Sequence, residues 1–180
     1  MLRDVRDFRN LLLVEQPNGD FGQTMMRQFL FDTWHLAMLR GLKASNVNGV
    51  AEIAEKAEKE VTYHAERSGD LVVRLGDGSD ESHRRMQAAL DRLWPFAGEM
   101  FVADAIDQSM SVDGIAPDAA DLKTVFDAEV AQVFTAATLT QPDHGFVHQG
   151  GKSGARHSEH LGHMLTQMQW LQRAYPGASW

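Results

Sequence analysis

Between Val50 and Leu75 the apolar residues Val50, Ile53, Ala54, Ala57, Val61, Ala65, Leu71, Val72 and Leu75 return at threes and fours, until Gly76-Asp77-Gly78 interrupts them. That spacing is one face of an α-helix, and a helix over these residues spans about 40 Å at 1.5 Å per residue. Most helices of globular domains are shorter. A wall of this length suits a helical bundle, and the remaining segments are consistent with one.

Asp20 with Gln23 three residues on makes a capping-box start, and Phe21, Met25, Phe29, Trp34, Met38 and Leu42 carry an apolar stripe to about Lys43. A third helix begins near Ser79 or Asp80 and uses Met86, Leu90, Leu93, Phe96, Met100 and Phe101, with Pro95 removing a donor and bending it. The stretch Asp104 to Gly114 is either a continuation or a short separate helix. Pro117 stands at the start of the next helix, marked by Leu122, Val125, Phe126, Val130, Val133 and Phe134. The last runs from about Ser158 to Tyr175 on Leu161, Met164, Leu165, Met168 and Leu171, and Pro176-Gly177 ends it. Gln141 to Ala155 is too long for an ordinary bundle turn, so it is either a wrapping arm or disordered. No strand pattern or internal repeat interrupts this all-α pattern, and 180 residues make one domain.

A net charge of -8 provides no basic surface for a phosphate backbone or anionic lipid, so neither nucleic acid nor membrane is an expected partner. The absence of cysteine removes disulfides, thiolate metal sites and thiol nucleophiles, and fits a cytoplasmic protein. The first twenty residues are too charged for a signal peptide, and no apolar run reaches the length of a membrane span. No G-x-S-x-G elbow, Walker loop or dinucleotide-binding glycine pattern occurs.

Long bundles of this shape hold di-iron when they carry one Glu on each of two helices and a Glu-x-x-His turn on each of the other two. Glutamate stands three residues before histidine nowhere in this chain. Asp32 and His35 have the spacing of a ligand turn, with a side chain one methylene short. Glu60 precedes His64 by four, and His64 follows Val61 by three and Ala57 by seven, so it is expected to point inward with Glu60 nearby. These four residues form either a metal or proton-shuttling site or, as we favour, an internal polar cluster whose members satisfy one another. His157, His160 and His163, beside Glu159, invite a zinc reading. Successive steps of three leave each about 60° short of a full turn, however, and a solvated or partner-facing helix end is the simpler expectation.

Beyond periodicity, several strings occur in order: Leu11-Leu12-Leu13-Val14-Glu15-Gln16-Pro17-Asn18-Gly19-Asp20-Phe21, Asp32-Thr33-Trp34-His35, Lys59-Glu60-Val61-Thr62-Tyr63-His64, and His157-Ser158-Glu159-His160-Leu161-Gly162 through Met168-Gln169-Trp170-Leu171-Gln172-Arg173. Along essentially the whole chain they resemble the C subunits of bacterial phenylacetyl-CoA 1,2-epoxidases. The resemblance implies a ferritin-like helical bundle of phenylacetate catabolism, inactive by itself, with no catalytic or metal residue of its own. It places the di-iron centre and the CoA thioester on a sister A subunit, and FAD with an iron-sulfur cluster on a reductase drawing on NADPH. Relative to that family the chain starts after about two helices, an N-terminally truncated bundle whose uncovered stripes favour homo- or hetero-oligomers. Asp32, His35, Glu60 and His64 then occupy the position where the paralogous bundle carries iron. The expected partner surface is His157, Glu159, His160, Gln169 and Trp170, with the Gln141 to Ala155 arm and Gln167 and Gln172. The alternative for Trp170 is a cover over the chain's own core. Two other functions remain open on residues alone: a self-sufficient di-metal carboxylate oxygenase using Asp32, His35, Glu60 and His64, and a His-rich metal-binding module over 157–163.

Overall fold

Helix starts are set by short polar side chains that accept from otherwise unpaired backbone N–H groups. Asp20 takes the Gln23 N–H at 2.9 Å, Ser79 that of Ser82, Asp104 those of Ile106 and Asp107, and Asp118 that of Ala120. In a computed structural model of the chain, described for residues 2–143 and 147–179, these caps open α1 (Phe21–Leu42), α3 (Asp80–Ala97), α4 (Ala105–Val112) and α5 (Ala119–Ala136). The long helix α2 covers Asn48–Gly76, and α6 covers Glu159–Ala174. Short 3-10 turns lie at Val5–Asp7, Leu12–Glu15 and Gly98–Phe101, and no strand occurs among the described residues. Asp104 to Gly114 forms a separate short helix with its closing turn, which resolves the alternative left open by its sequence.

Helix α1 lies at the centre, packed against α2, α3 and α5. Because it has neighbours on several sides, its buried residues include Met26, Phe29, Leu30, Thr33, Leu36, Ala37 and Leu39, whereas Phe21 is exposed. Of the expected stripe, Phe29 is buried, Trp34 and Leu42 pack partly against the core, Met25 and Met38 are half-buried, and Phe21 falls outside it. The main core joins Met26, Phe29 and Leu30 of α1 to Val72 of α2, Leu90, Leu93 and Trp94 of α3, and Phe126, Val130 and Phe134 of α5. Each fully buried side chain of this size contributes about 1.5–3 kcal/mol. A second cluster, Leu36, Leu39, Ala54 and Val61, fastens the far half of α2 to α1.

Pro95 is accommodated inside α3, which continues to Ala97 before tightening into the 3-10 turn. The Pro95 carbonyl accepts from the N–H of His148, and the His148 ring stacks on Phe96 at 4.3 Å between centroids. The segment from residue 147 to Arg156 thus wraps the end of α3, in keeping with a wrapping arm. Residues 144–146 of that expected arm lie outside the described residues. No described helix is long and apolar enough to cross a membrane.

Candidate functional site

Asp32 is buried on the face of α1 that meets α2. Its Oδ1 accepts from Gln28 Nε2 at 2.6 Å, one turn earlier, and its Oδ2 from the Ser68 hydroxyl of α2 at 3.1 Å. Burial raises the carboxyl above its ordinary range, and the two hydrogen bonds, with the nearby His64 and His35 rings, pull it back. His35 is half-buried against the Phe31 and Trp34 rings, and burial holds its imidazole below its ordinary value, against the attraction of Asp32. Asp32, His35 and His64 therefore share one electrostatic neighbourhood.

The expectation of a four-membered internal cluster needs correction at α2. Glu60 and His64 are exposed, with side chains 78% and 46% accessible, and their closest approach is 3.9 Å, a solvated i,i+4 pair. On a helical wheel His64 lies about 60° from Val61, enough to move it from the packed seam to the rim. The residue of α2 that does face Asp32 is Ser68, which sequence reasoning passed over because a lone serine on a helix carries no chemical signal. Among the described residues no group of three or more His, Asp or Glu side chains is placed to hold a metal. The donors do not suit a binuclear centre: Asp32 already has both carboxylate oxygens engaged, and Glu60 projects into solvent.

Two buried glutamates absent from the sequence-based candidates organise the other side of the molecule. Glu99, 2% exposed, accepts from the Leu12 N–H at 2.8 Å, from Gly150 at 2.8 Å and from Lys152 at 3.1 Å. It ties the N-terminal segment and the arm to the end of α3. Glu15 accepts from Asn10 Nδ2 at 2.6 Å and from the Ser158 N–H at 2.6 Å, and its Oε1 lies 2.6 Å from His157 Nδ1. The other ring nitrogen of His157 lies 3.0 Å from the Phe8 carbonyl oxygen. The only sequence clue was that both glutamates stand next to apolar runs, where a solvated carboxylate is out of place.

This geometry also divides the expected partner surface. His157 and Glu15 have side chains only 4% and 2% exposed, so His157 is an internal anchor and not a partner contact. Gln169 is buried, donating to the Arg3 carbonyl and accepting from Arg173, and it too serves the chain's own packing. Glu159 and His160 are exposed. Trp170 is 60% exposed with its ring against Tyr175, so it does not cover the core. Met164, Met168 and Leu171 add apolar area on a neighbouring face of α6.

The described residues thus form an all-helical bundle with a buried carboxylate braced by neutral donors and an apolar face of α6 open to solvent. The model of the phenylacetic acid catabolic protein family matches residues 1–180, and the chain belongs to that family. It is similar to the C subunit of the 1,2-phenylacetyl-CoA epoxidase of Escherichia coli (strain K12), 47% identical over 178 residues. The matched region is 99% of this chain and 71% of that protein.

Proposed function

We propose that the chain is a non-catalytic structural subunit of a multicomponent phenylacetyl-CoA 1,2-epoxidase, packing on the di-iron catalytic A subunit and stabilising it. The observation that carries this reading is 47% identity to the C subunit of such an epoxidase over nearly the whole chain. The buried Asp32 carboxylate, with both oxygens already engaged by Gln28 and Ser68, is in keeping with that reading. On this reading residues 1–180 act as a single helical domain, cytoplasmic, with no cofactor of its own. Iron sits on the A subunit, FAD and an iron-sulfur cluster sit on the reductase, and the ring of phenylacetyl-CoA is epoxidised on the A subunit. This chain acts by holding the A-subunit bundle rigid, so that the iron ligands there keep their geometry.

The test is co-expression with the A subunit, followed by co-purification, thermal unfolding and oxygen-dependent turnover with the reductase. A stable complex is expected, with a higher melting temperature for the A subunit than it has alone and no turnover by this chain alone. Stoichiometric iron and oxygen-dependent turnover in the isolated chain would instead establish it as a self-sufficient oxygenase.

A further inference from the structure

Along α6, Leu161, Met164, Met168 and Leu171 follow one another at threes and fours, the spacing of a seam that receives a second helix. Leu161 is buried at its base, and the other three are 48%, 59% and 38% exposed. At its N-terminal end the seam opens into a groove of about 470 Å³ lined by Val14, Leu161, Met164, His160 and Arg27. Arg27 reaches there from α1. Its guanidinium donates to the Gln16 carbonyl oxygen and to Asn18 Oδ1, at 2.6 Å in the latter case, and both of these acceptors are neutral.

Among the described residues no carboxylate pairs with Arg27; exposed cations such as Arg9 and Arg92 also have no ion pair, but Arg27 is partly buried and lines the groove. Glu15, which also lines the groove, is taken by His157, Ser158 and Asn10. A guanidinium has five N–H donors, and the two neutral acceptors leave some of them for a bidentate partner. Burial also holds this group below its ordinary value, the direction expected of a cation lacking a counter-charge.

We propose that this groove and the α6 seam are the docking surface for an amphipathic helix of the partner subunit, which lays apolar residues on Met164, Met168 and Leu171 and sets one carboxylate against Arg27. The inference rests on the structural-subunit reading above and specifies where contact is made. The seam extends over the eleven residues from Leu161 to Leu171, about 15 Å of helix from first to last, which suits a helical segment better than a small anion. Charge complementarity selects the occupant, because the two neutral acceptors leave guanidinium donors of Arg27 for a carboxylate at the end of the apolar stripe.

The experiment measures the affinity of the purified A subunit for the full chain and for the variants Met164→Glu, Met168→Asp and Arg27→Gln by titration calorimetry, with helix content checked by circular dichroism. Met164→Glu places a carboxylate at the groove and competes for Arg27 from an exposed position, so it tests the site without cutting into the core. Each variant is expected to weaken binding by roughly tenfold or more, and added salt to weaken the parent but not Arg27→Gln to the same degree. Parent-like affinity in both Met164→Glu and Met168→Asp overturns the docking surface while leaving the structural-subunit reading intact. Failure of the parent chain to bind the A subunit removes that reading itself. Loss of self-association by the variants, with the A-subunit affinity unchanged, assigns the seam to a second copy of this chain and also overturns the proposal.

Discussion

Asp32 and Glu99 are both buried carboxylates, held by different sets of donors. Asp32 is raised by burial above its ordinary 3.8, so the folded chain holds that proton more firmly than the unfolded chain does. Its favourable contribution is complete below pH 3.8 and is lost as pH rises through the folded value, leaving the ionised group a cost at neutral pH. Asp32→Asn keeps an oxygen for Ser68 or Gln28 and removes that charge. Urea unfolding should show the variant gaining on the parent more at pH 7 than at pH 4, and a pH-independent difference would contradict the assignment. Glu99, in contrast, satisfies three backbone N–H groups. Glu99→Ala strands them and is expected to cost about 2–4 kcal/mol, with hydrogen exchange accelerating first at Leu12, Gly150 and Lys152. Neither role is visible in the residue's letter, because Asp32 is buried against Ser68 of α2 and the three N–H groups that Glu99 accepts from all lie more than fifty positions away.

Helices meet closely where side chains are smallest, and the glycines show which contacts are saturated. A Cβ on Gly76, at the end of α2, would lie 2.6 Å from the Ala137 carbonyl oxygen, a backbone atom that cannot swing aside. On Gly69 the nearest atom is a Phe29 ring carbon at 3.6 Å, and on Gly162 of α6 nothing lies within 4 Å. Gly76→Ala should therefore lower the unfolding midpoint by the equivalent of about 1–3 kcal/mol, whereas Gly69→Ala and Gly162→Ala should each gain about 0.5–1 kcal/mol from helix propensity. Thermal unfolding of the three variants checks the order, and equal effects would mean that the approach of Ala137 to the end of α2 is not tight. The helices themselves were legible from spacing and caps, as at Asp20 and Ser79. The face each one buries was less so: α1 is surrounded by α2, α3 and α5, so several of its faces qualify, and a single stripe misplaced Phe21.

Helix α6 and the N-terminal segment hold each other across the whole length of the chain, through Glu15 with His157 and Ser158, Gln169 with the Arg3 carbonyl, and Arg173 with Asp4. The first of these is buried and the last is solvated, so the buried cluster is the one expected to matter. Glu15→Ala should lower the opening free energy of 158–174 by roughly 2–4 kcal/mol while the exchange of α1 amides changes little. Uniform loss of protection along the chain would show that α6 belongs to the central cooperative unit. Local periodicity and capping residues were enough to determine an all-helical bundle, because each depends on spacing within one helix. Which polar residues are inside was decided only by tertiary structure. His64 turns out to solvent while Ser68 turns in, and Glu15, Glu99 and His157 become anchors, because burial is a property of how helices and arms are set against one another and not of the stretch of chain that carries the residue.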